Sequence, residues 1–161
     1  MDTHMHPTAL APILRGPQIG PRHDIFGAAH LYKLLPAESD GGLAVIEAVL
    51  APGVGAPPHR HADEDEAFYV ISGAIVAALG ESAAKRLEAG SFFLAPRGVS
   101  HHFHNEGPEL AKLLVIANPG TGLVHMFGAI DEAGRRAGGM PAIEEVVAIC
   151  ADHGVTILPP G

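Results

Sequence analysis

Three histidines and a glutamate have the residue types and the spacing that suit a metal site. His59 and His61 are two residues apart, and alternate residues of a strand face the same side, so both imidazoles would point one way and could chelate one ion. Glu66 follows an acidic turn and begins an apolar stretch. A lone inward carboxylate is costly to desolvate, whereas a cation shared with two imidazoles stabilises its charge.

His101 lies in a separate predicted strand, with Phe103 on the same face. It could supply a fourth ligand from across a barrel. A His-x-His pair alone is a weak signal, because short motifs often occur by chance and an inward histidine is usually a hydrogen-bonded core residue. Three histidines and a glutamate in this arrangement are a stronger signal.

Two stretches of the chain resemble the two motifs of the cupin superfamily. Residues 53–73 read GVGAPPHRHADEDEAFYVISG, and residues 90–105 read GSFFLAPRGVSHHFHN. The fixed positions of the motifs are filled by Gly53, His59, His61, Glu66 and Gly73, and by Gly90, Pro96, Gly98, His101 and Asn105. The resemblance covers residues 43–118 and leaves the two ends of the chain unexplained.

The resemblance implies a double-stranded β-helix, a jelly-roll barrel of the all-β class, with one divalent transition metal ion inside. It implies that the ion is bound by His59, His61, Glu66 and His101. Imidazole plus carboxylate suits Fe, Mn, Ni, Co, Cu or Zn, and the affinity order alone does not choose among them. Because small cupin barrels commonly dimerise, the resemblance also implies a homodimer.

The resemblance further favours a dioxygenase of the quercetin dioxygenase type, acting on a small organic substrate that is aromatic or flavonoid-like. Four protein ligands leave one or two positions on the ion for water, substrate or dioxygen. Glu66 would be a ligand and also the catalytic group that accepts a proton from a substrate hydroxyl. The better-known flavonol-cleaving cupins have two barrels, whereas this chain has one.

An apolar pocket would suit such a substrate. We expect it to be lined by Phe68, Val70, Phe103, Met126 and Phe127, although ordinary core packing is the alternative role for these side chains.

Two other function classes remain open. A metal-dependent isomerase or lyase of a sugar or keto acid would need charged residues in the pocket, with Arg97 and Lys112 as weak candidates. A non-catalytic module would bind a small ligand without turnover.

Short apolar runs separated by turn residues predict the strands of the barrel. The runs are Phe26–Leu35, Leu43–Leu50, Ala67–Ile71, Ala74–Leu79, Lys85–Glu88, Ser91–Ala95, Ser100–His104 and Leu110–Ala117. Residues 51–58 are predicted to be a loop, because their prolines remove ladder donors. Helical spacing predicts two helices, Ala129–Ala137 and Pro141–His153, packed outside the barrel. We therefore divide the chain into an N-terminal arm (1–24), a barrel (25–128) and a C-terminal helical extension (129–161).

Several polar residues near the motifs are given structural roles. Asp63, Glu64 and Asp65 are interpreted as a solvated turn. His102 and His104 alternate out of phase with His101 and should face away from the metal. Asn105 is expected to bond to the backbone of a turn, and Cys150 falls on the apolar face of the second helix, which predicts a buried core residue.

The composition narrows the class of partner. The 161 residues carry a formal net charge of -8, which would repel a nucleic-acid backbone, so we expect no nucleic-acid partner. Neither an export signal nor an apolar run of membrane-spanning length is evident. These observations predict a cytoplasmic protein without a membrane partner that acts on a small-molecule substrate.

Overall fold

Two antiparallel sheets and two helices form the part of the chain that this computed structural model describes, residues 10–40 and 42–159. The strands are β1 (Arg22–Ile25), β2 (Ala28–Leu34), β3 (Ala44–Leu50), β4 (Gly55–His61), β5 (Asp65–Ser72), β6 (Ala74–Leu79), β7 (Lys85–Glu88), β8 (Phe92–Ala95), β9 (His101–His104), β10 (Ala111–Asn118) and β11 (Val155–Ile157). The helices are α1 (Thr121–Ala137) and α2 (Ile143–Asp152), and a short 3-10 helix covers Pro36–Glu38.

The sheets enclose one apolar core. One sheet has the order β1-β2-β3-β10-β5-β8 and the other the order β11-β4-β9-β6-β7. Every second residue of β3 and β10 is buried, as expected for strands with one face turned inward. The largest fully buried side chains include Tyr32, Ile46, Phe68, Val70, Ile75 and Leu113. The predicted all-β jelly-roll fold with C-terminal helices is confirmed.

The prediction of a loop over residues 51–58 is wrong for its second half, because β4 begins at Gly55 and lies between β11 and β9. The pairing of β4 with β9 shifts register between Ala56 and His59. Pro57 and Pro58 therefore lie where the β4–β9 pairing is irregular, and their missing N–H groups interrupt no regular ladder of hydrogen bonds. A Cβ at Gly55 would lie 2.0 Å from the Phe103 carbonyl oxygen, so only glycine permits this approach.

The ends of several elements also differ from the sequence prediction. The predicted arm contains β1, which pairs with β2, while residues 1–9 of the arm lie outside the described residues. Helix α1 begins eight residues before Ala129, although Gly122 and Gly128 lower its helix propensity. Its apolar stripe compensates by packing inward, and burial of that stripe explains the earlier start. The division into arm, barrel and helical extension stays a prediction.

The two helices pack against edge strands of the two sheets. Helix α1 contacts β1 and α2, and α2 contacts β11. Within residues 10–40 and 42–159, no helix is both long and apolar enough to cross a membrane.

Candidate metal centre

The structure brings all four predicted ligands together inside the barrel. Strand β4 supplies His59 and His61, β5 supplies Glu66, and β9 supplies His101, which pairs directly with His59 across the sheet. One ligand atom from each residue lies within 4.8 Å of the others, and all four residues are buried. The group could therefore hold one metal ion.

The three histidines present the same nitrogen to this cluster. In each ring Nδ1 lies beside an oxygen that can only accept a hydrogen bond, so Nδ1 carries a proton and Nε2 is the nitrogen that can bind a metal. The acceptors are the Pro57 carbonyl for His59 (2.7 Å), the Glu64 carboxylate for His61 (2.7 Å) and the Val99 carbonyl for His101 (3.3 Å). Such outer partners set the tautomer and ring orientation that metal ligation requires.

The arrangement brings imidazole nitrogens and a carboxylate close together at a position where a cation would stabilise them. Nε2 of His61 is buried without a hydrogen-bond partner, although it lies 3.0 Å from Oε2 of Glu66. Nε2 of His101 lies 2.9 Å from the same oxygen, and a hydrogen bond there would need a second proton on that ring. Because three imidazole nitrogens and one carboxylate converge in a buried place, the donor set fits a divalent metal ion.

Charge within the cluster is unevenly distributed. Burial, with the neighbouring His101, lowers the pKa of His59 to about 4, so this ring is neutral near pH 7. Burial opposes protonation of His61 as well, but the neighbouring Glu64 and Glu66 carboxylates raise its pKa to about 10 in the metal-free chain. Although burial raises the pKa of Glu66, the neighbouring His101 and His61 rings hold it well below its usual range. A metal ion would replace the proton on His61.

An apolar cavity of about 100 Å³ adjoins the cluster. Four of the five predicted pocket residues line it, namely Phe68, Phe103, Met126 and Phe127. Val70 does not: it is 0% exposed and packs in the core farther along β5, opposite Leu113. It shares the inward face of the strand, but the core is already filled at that depth. Helix α1 supplies a large part of the cavity wall.

Glu64 is a functional residue that the sequence analysis assigned wrongly. It was predicted to lie in a solvated turn, but it is only 4% exposed and bonds to His61 through one oxygen and to the Leu123 backbone N–H through the other. Its neighbours differ: Asp63 is exposed, and Asp65 pairs with Arg97. The local sequence does not show which of the three consecutive acidic residues is buried, because the burial of Glu64 depends on its contact with α1.

His30 is a second residue that the sequence analysis missed. It lies on β2 and lines the cavity, with its ring 4.8 Å from that of Phe127. Its Nδ1 lies 3.2 Å from the Ala28 carbonyl oxygen, to which it donates. No motif or spacing in the sequence of β2 gave a sign of this role.

The remaining assignments near the site agree with the structure. Asn105 is buried and donates to the carbonyls of Leu50 and Glu109. His102 and His104 are outside the four-residue cluster. Cys150 is buried, and burial raises the pKa of its thiol.

The His30 environment predicts acid sensitivity of the metal-free protein. Burial lowers the pKa of His30 to about 4, whereas an unfolded histidine titrates at about 6.5. Between these values the unfolded chain binds a proton that the folded chain does not, so stability falls as the pH falls, by up to about 1.4 kcal/mol per pH unit. Urea unfolding midpoints between pH 7 and pH 4 measure this slope.

In His30→Gln, the part of the pH dependence of stability that comes from His30 should be lost. The part that comes from His59 should be the same in wild type and in the variant. His102→Gln is the control, because the His102 side chain does not line the cavity. Equal slopes in wild type and His30→Gln would contradict the prediction.

Comparison with known proteins agrees with the predicted fold. Residues 46–117 match the family model described as a Cupin domain. Germin-like protein 5-1 from Oryza sativa subsp. japonica is 35% identical over 99 residues, which cover 56% of this chain and 43% of the relative. The chain spans less than half the length of the germin-like relatives that it matches.

Two solved structures extend the comparison. An oxalate oxidase structure has a TM-score of 0.50 and 29% identity, over 58% of this chain and 51% of that one. A Thermotoga maritima protein described as a predicted oxalate decarboxylase has a TM-score of 0.59 over 66% of this chain and 98% of that one. Its identity of 20% makes it a likeness of fold alone. Together with the motif residues, these matches support the cupin superfamily.

Proposed function

We propose that this cupin-domain protein is a metal-dependent oxidoreductase, a dioxygenase, that acts on a small aromatic compound bearing a chelating hydroxyl. The observation that carries the proposal is the meeting of three histidine side chains and one buried carboxylate beside an apolar cavity. The metal would bind the substrate oxygen and make the substrate reactive toward dioxygen. The similarity to an oxalate oxidase structure supports oxidoreductase chemistry.

The residues of the chain have distinct roles in this proposal. His59, His61, Glu66 and His101 hold the ion. Glu66 would also accept the proton of a substrate hydroxyl, because it adjoins the ion and a bound metal makes that hydroxyl more acidic. The aromatic wall packs against the substrate ring and excludes water, which strengthens electrostatic interactions at the site.

The size of the cavity favours a single ring. About 100 Å³ is small beside the roughly 300–1,000 Å³ of pockets for drug-sized ligands. A three-ring flavonol would require the cavity to open, whereas a monocyclic catechol needs far less space.

The charge of the cavity favours a substrate with little charge of its own. No Lys or Arg of the described residues lines it. Oxalate, which the similar structure is named for, would carry two negative charges into an apolar cavity with only the metal to neutralise them. A sugar or keto acid isomerase is disfavoured for the same reason, because Arg97 pairs with Asp65 and Lys112 pairs with Glu47.

The proposal is tested by elemental analysis and oxygen uptake on one sample, purified without a metal-affinity step. Uptake is recorded with catechol, a flavonol and oxalate, and the chelator-treated protein is the control. We expect stoichiometric Fe, Mn, Ni, Co or Cu, with uptake fastest on catechol. Zinc without uptake would favour an isomerase, a lyase or a non-catalytic binding module, and absence of metal would contradict the metal site itself.

The homodimer and the cytoplasmic location also stay predictions.

A further inference from the structure

We propose that Glu64 is a positioning residue that joins the metal centre to helix α1, so that metal binding and ordering of the cavity wall are coupled. The inference rests on the proposed metal site and goes beyond it, because it assigns a role to a residue outside the four ligands. It concerns the carboxylate that the turn between β4 and β5 places between His61 and the start of α1.

Both oxygens of Glu64 are committed to different elements. Oε2 accepts from Nδ1 of His61 at 2.7 Å, and Oε1 accepts from the backbone N–H of Leu123 at 2.6 Å. An ionised carboxylate only accepts hydrogen bonds, so each of its oxygens can serve one of these two N–H donors. The side chain is 4% exposed, so water competes little for either bond.

The bond to Leu123 replaces a missing helix cap. The first N–H groups of a helix lack partners within the helix, and a side chain at the N-cap usually accepts from one of them. In α1 the N-cap is Gly120, which has no side chain, and no side-chain cap bond is made from that position. Glu64, distant in sequence, therefore caps α1 from the metal-site turn.

The same helix forms a wall of the cavity. Leu123, Met126, Phe127 and Ile130 of α1 all line it. A bond that fixes the first turn of α1 therefore also fixes the position of these side chains. The carboxylate of Glu64 therefore connects the metal ligand His61 to the helix that forms the cavity wall.

Gly122 is needed for this approach. A Cβ at position 122 would lie 2.6 Å from Oε1 of Glu64, closer than such contacts occur, so a side chain there would displace the carboxylate. The glycine lowers helix propensity at the second position of α1. That cost is offset by the close contact of the carboxylate with the helix.

Coupling must act in both directions. A bound ion fixes the ring of His61, which fixes Glu64 and holds the first turn of α1. By linkage, the factor by which metal binding strengthens the bond between Glu64 and α1 equals the factor by which that bond strengthens metal binding.

The first test compares Glu64→Gln with Asp63→Asn, its exposed neighbour in the same turn. Glutamine has one acceptor oxygen, so it cannot serve both N–H donors, and it can invert the tautomer of His61. We expect affinity for Zn²⁺ and Co²⁺, measured by competition with a chelating dye, to fall by about 10–100-fold in Glu64→Gln. Asp63→Asn should stay within about twofold of wild type, because that side chain is exposed.

The second test measures hydrogen exchange of α1 with and without Zn²⁺. In wild type, zinc should slow exchange of the amides at residues 121–126, and in Glu64→Gln it should not. A residue that only stabilised the fold would change overall exchange in both states but would not abolish this zinc-dependent difference. The wild-type measurement remains decisive even where Glu64→Gln does not fold.

Gly122→Ala gives an independent variant. Alanine favours helix over glycine by about 1 kcal/mol, so a purely local effect would order α1 further and leave the metal site alone. We expect instead a several-fold loss of Zn²⁺ affinity, because the new Cβ displaces Oε1.

The results separate the inference from the proposed function. Unchanged affinity in Glu64→Gln, or no zinc-dependent protection of α1 in wild type, overturns the role of Glu64 while the metal site stands. A wild-type protein that binds neither Zn²⁺ nor Co²⁺ overturns the metal site and the coupling together.

Discussion

Replacing His61 with alanine removes the bound metal ion, whereas replacing His102 with alanine leaves it in place. The Nε2 atom of His61 is buried beside Glu66 and makes no hydrogen bond, so its loss removes a ligand and leaves Glu66 poorly neutralised. His102 lies on β9 beside His101 but outside the cluster. We expect metal content to fall from one ion per chain to near zero in the first variant only.

Elemental analysis of both variants, purified in parallel without a metal-affinity tag, measures this difference. Circular dichroism and a thermal melt confirm that each variant folds, so that lost metal is not a consequence of lost structure. Equal loss of metal in both variants would contradict the register of β9 and the assignment of the ligands.

Removing the metal lowers the melting temperature by about 8–16 °C. A ligand that binds only the folded chain stabilises it by about 4 kcal/mol when its free concentration is about 1,000 times Kd. For a chain of this size, each kcal/mol corresponds to about 2–4 °C. The effect is large because the unfolded chain does not hold the four ligands together.

Differential scanning calorimetry of the chelator-treated protein, before and after addition of the metal found by elemental analysis, measures the shift. His61→Ala is the matched control and should melt at the same temperature with and without added metal. An unchanged melting temperature in wild type would show that the cluster binds no metal strongly.

The sequence predicted the fold class and the four residues that meet inside the barrel, chiefly through its resemblance to the cupin motifs. His59 and His61 are two residues apart on one strand, Glu66 lies at the start of the next strand, and His101 lies in a separate strand. Within each strand, the alternation of side chains predicts which residues face inward. Short apolar runs between turn residues determined most strands in the same way. The match of residues 46–117 to the Cupin domain agrees with the motifs.

The tertiary structure decided what depends on contacts between distant parts of the chain. The sequence does not show that Glu64 differs from Asp63 and Asp65 in burial. Glu64 is buried where it contacts α1, which is distant in the sequence. The start of α1 depends on packing of its apolar stripe, which overrides the low propensity of its glycines. His30 joins the cavity, and Val70 does not, because the depth of the cavity is set by the opposing walls rather than by strand alternation.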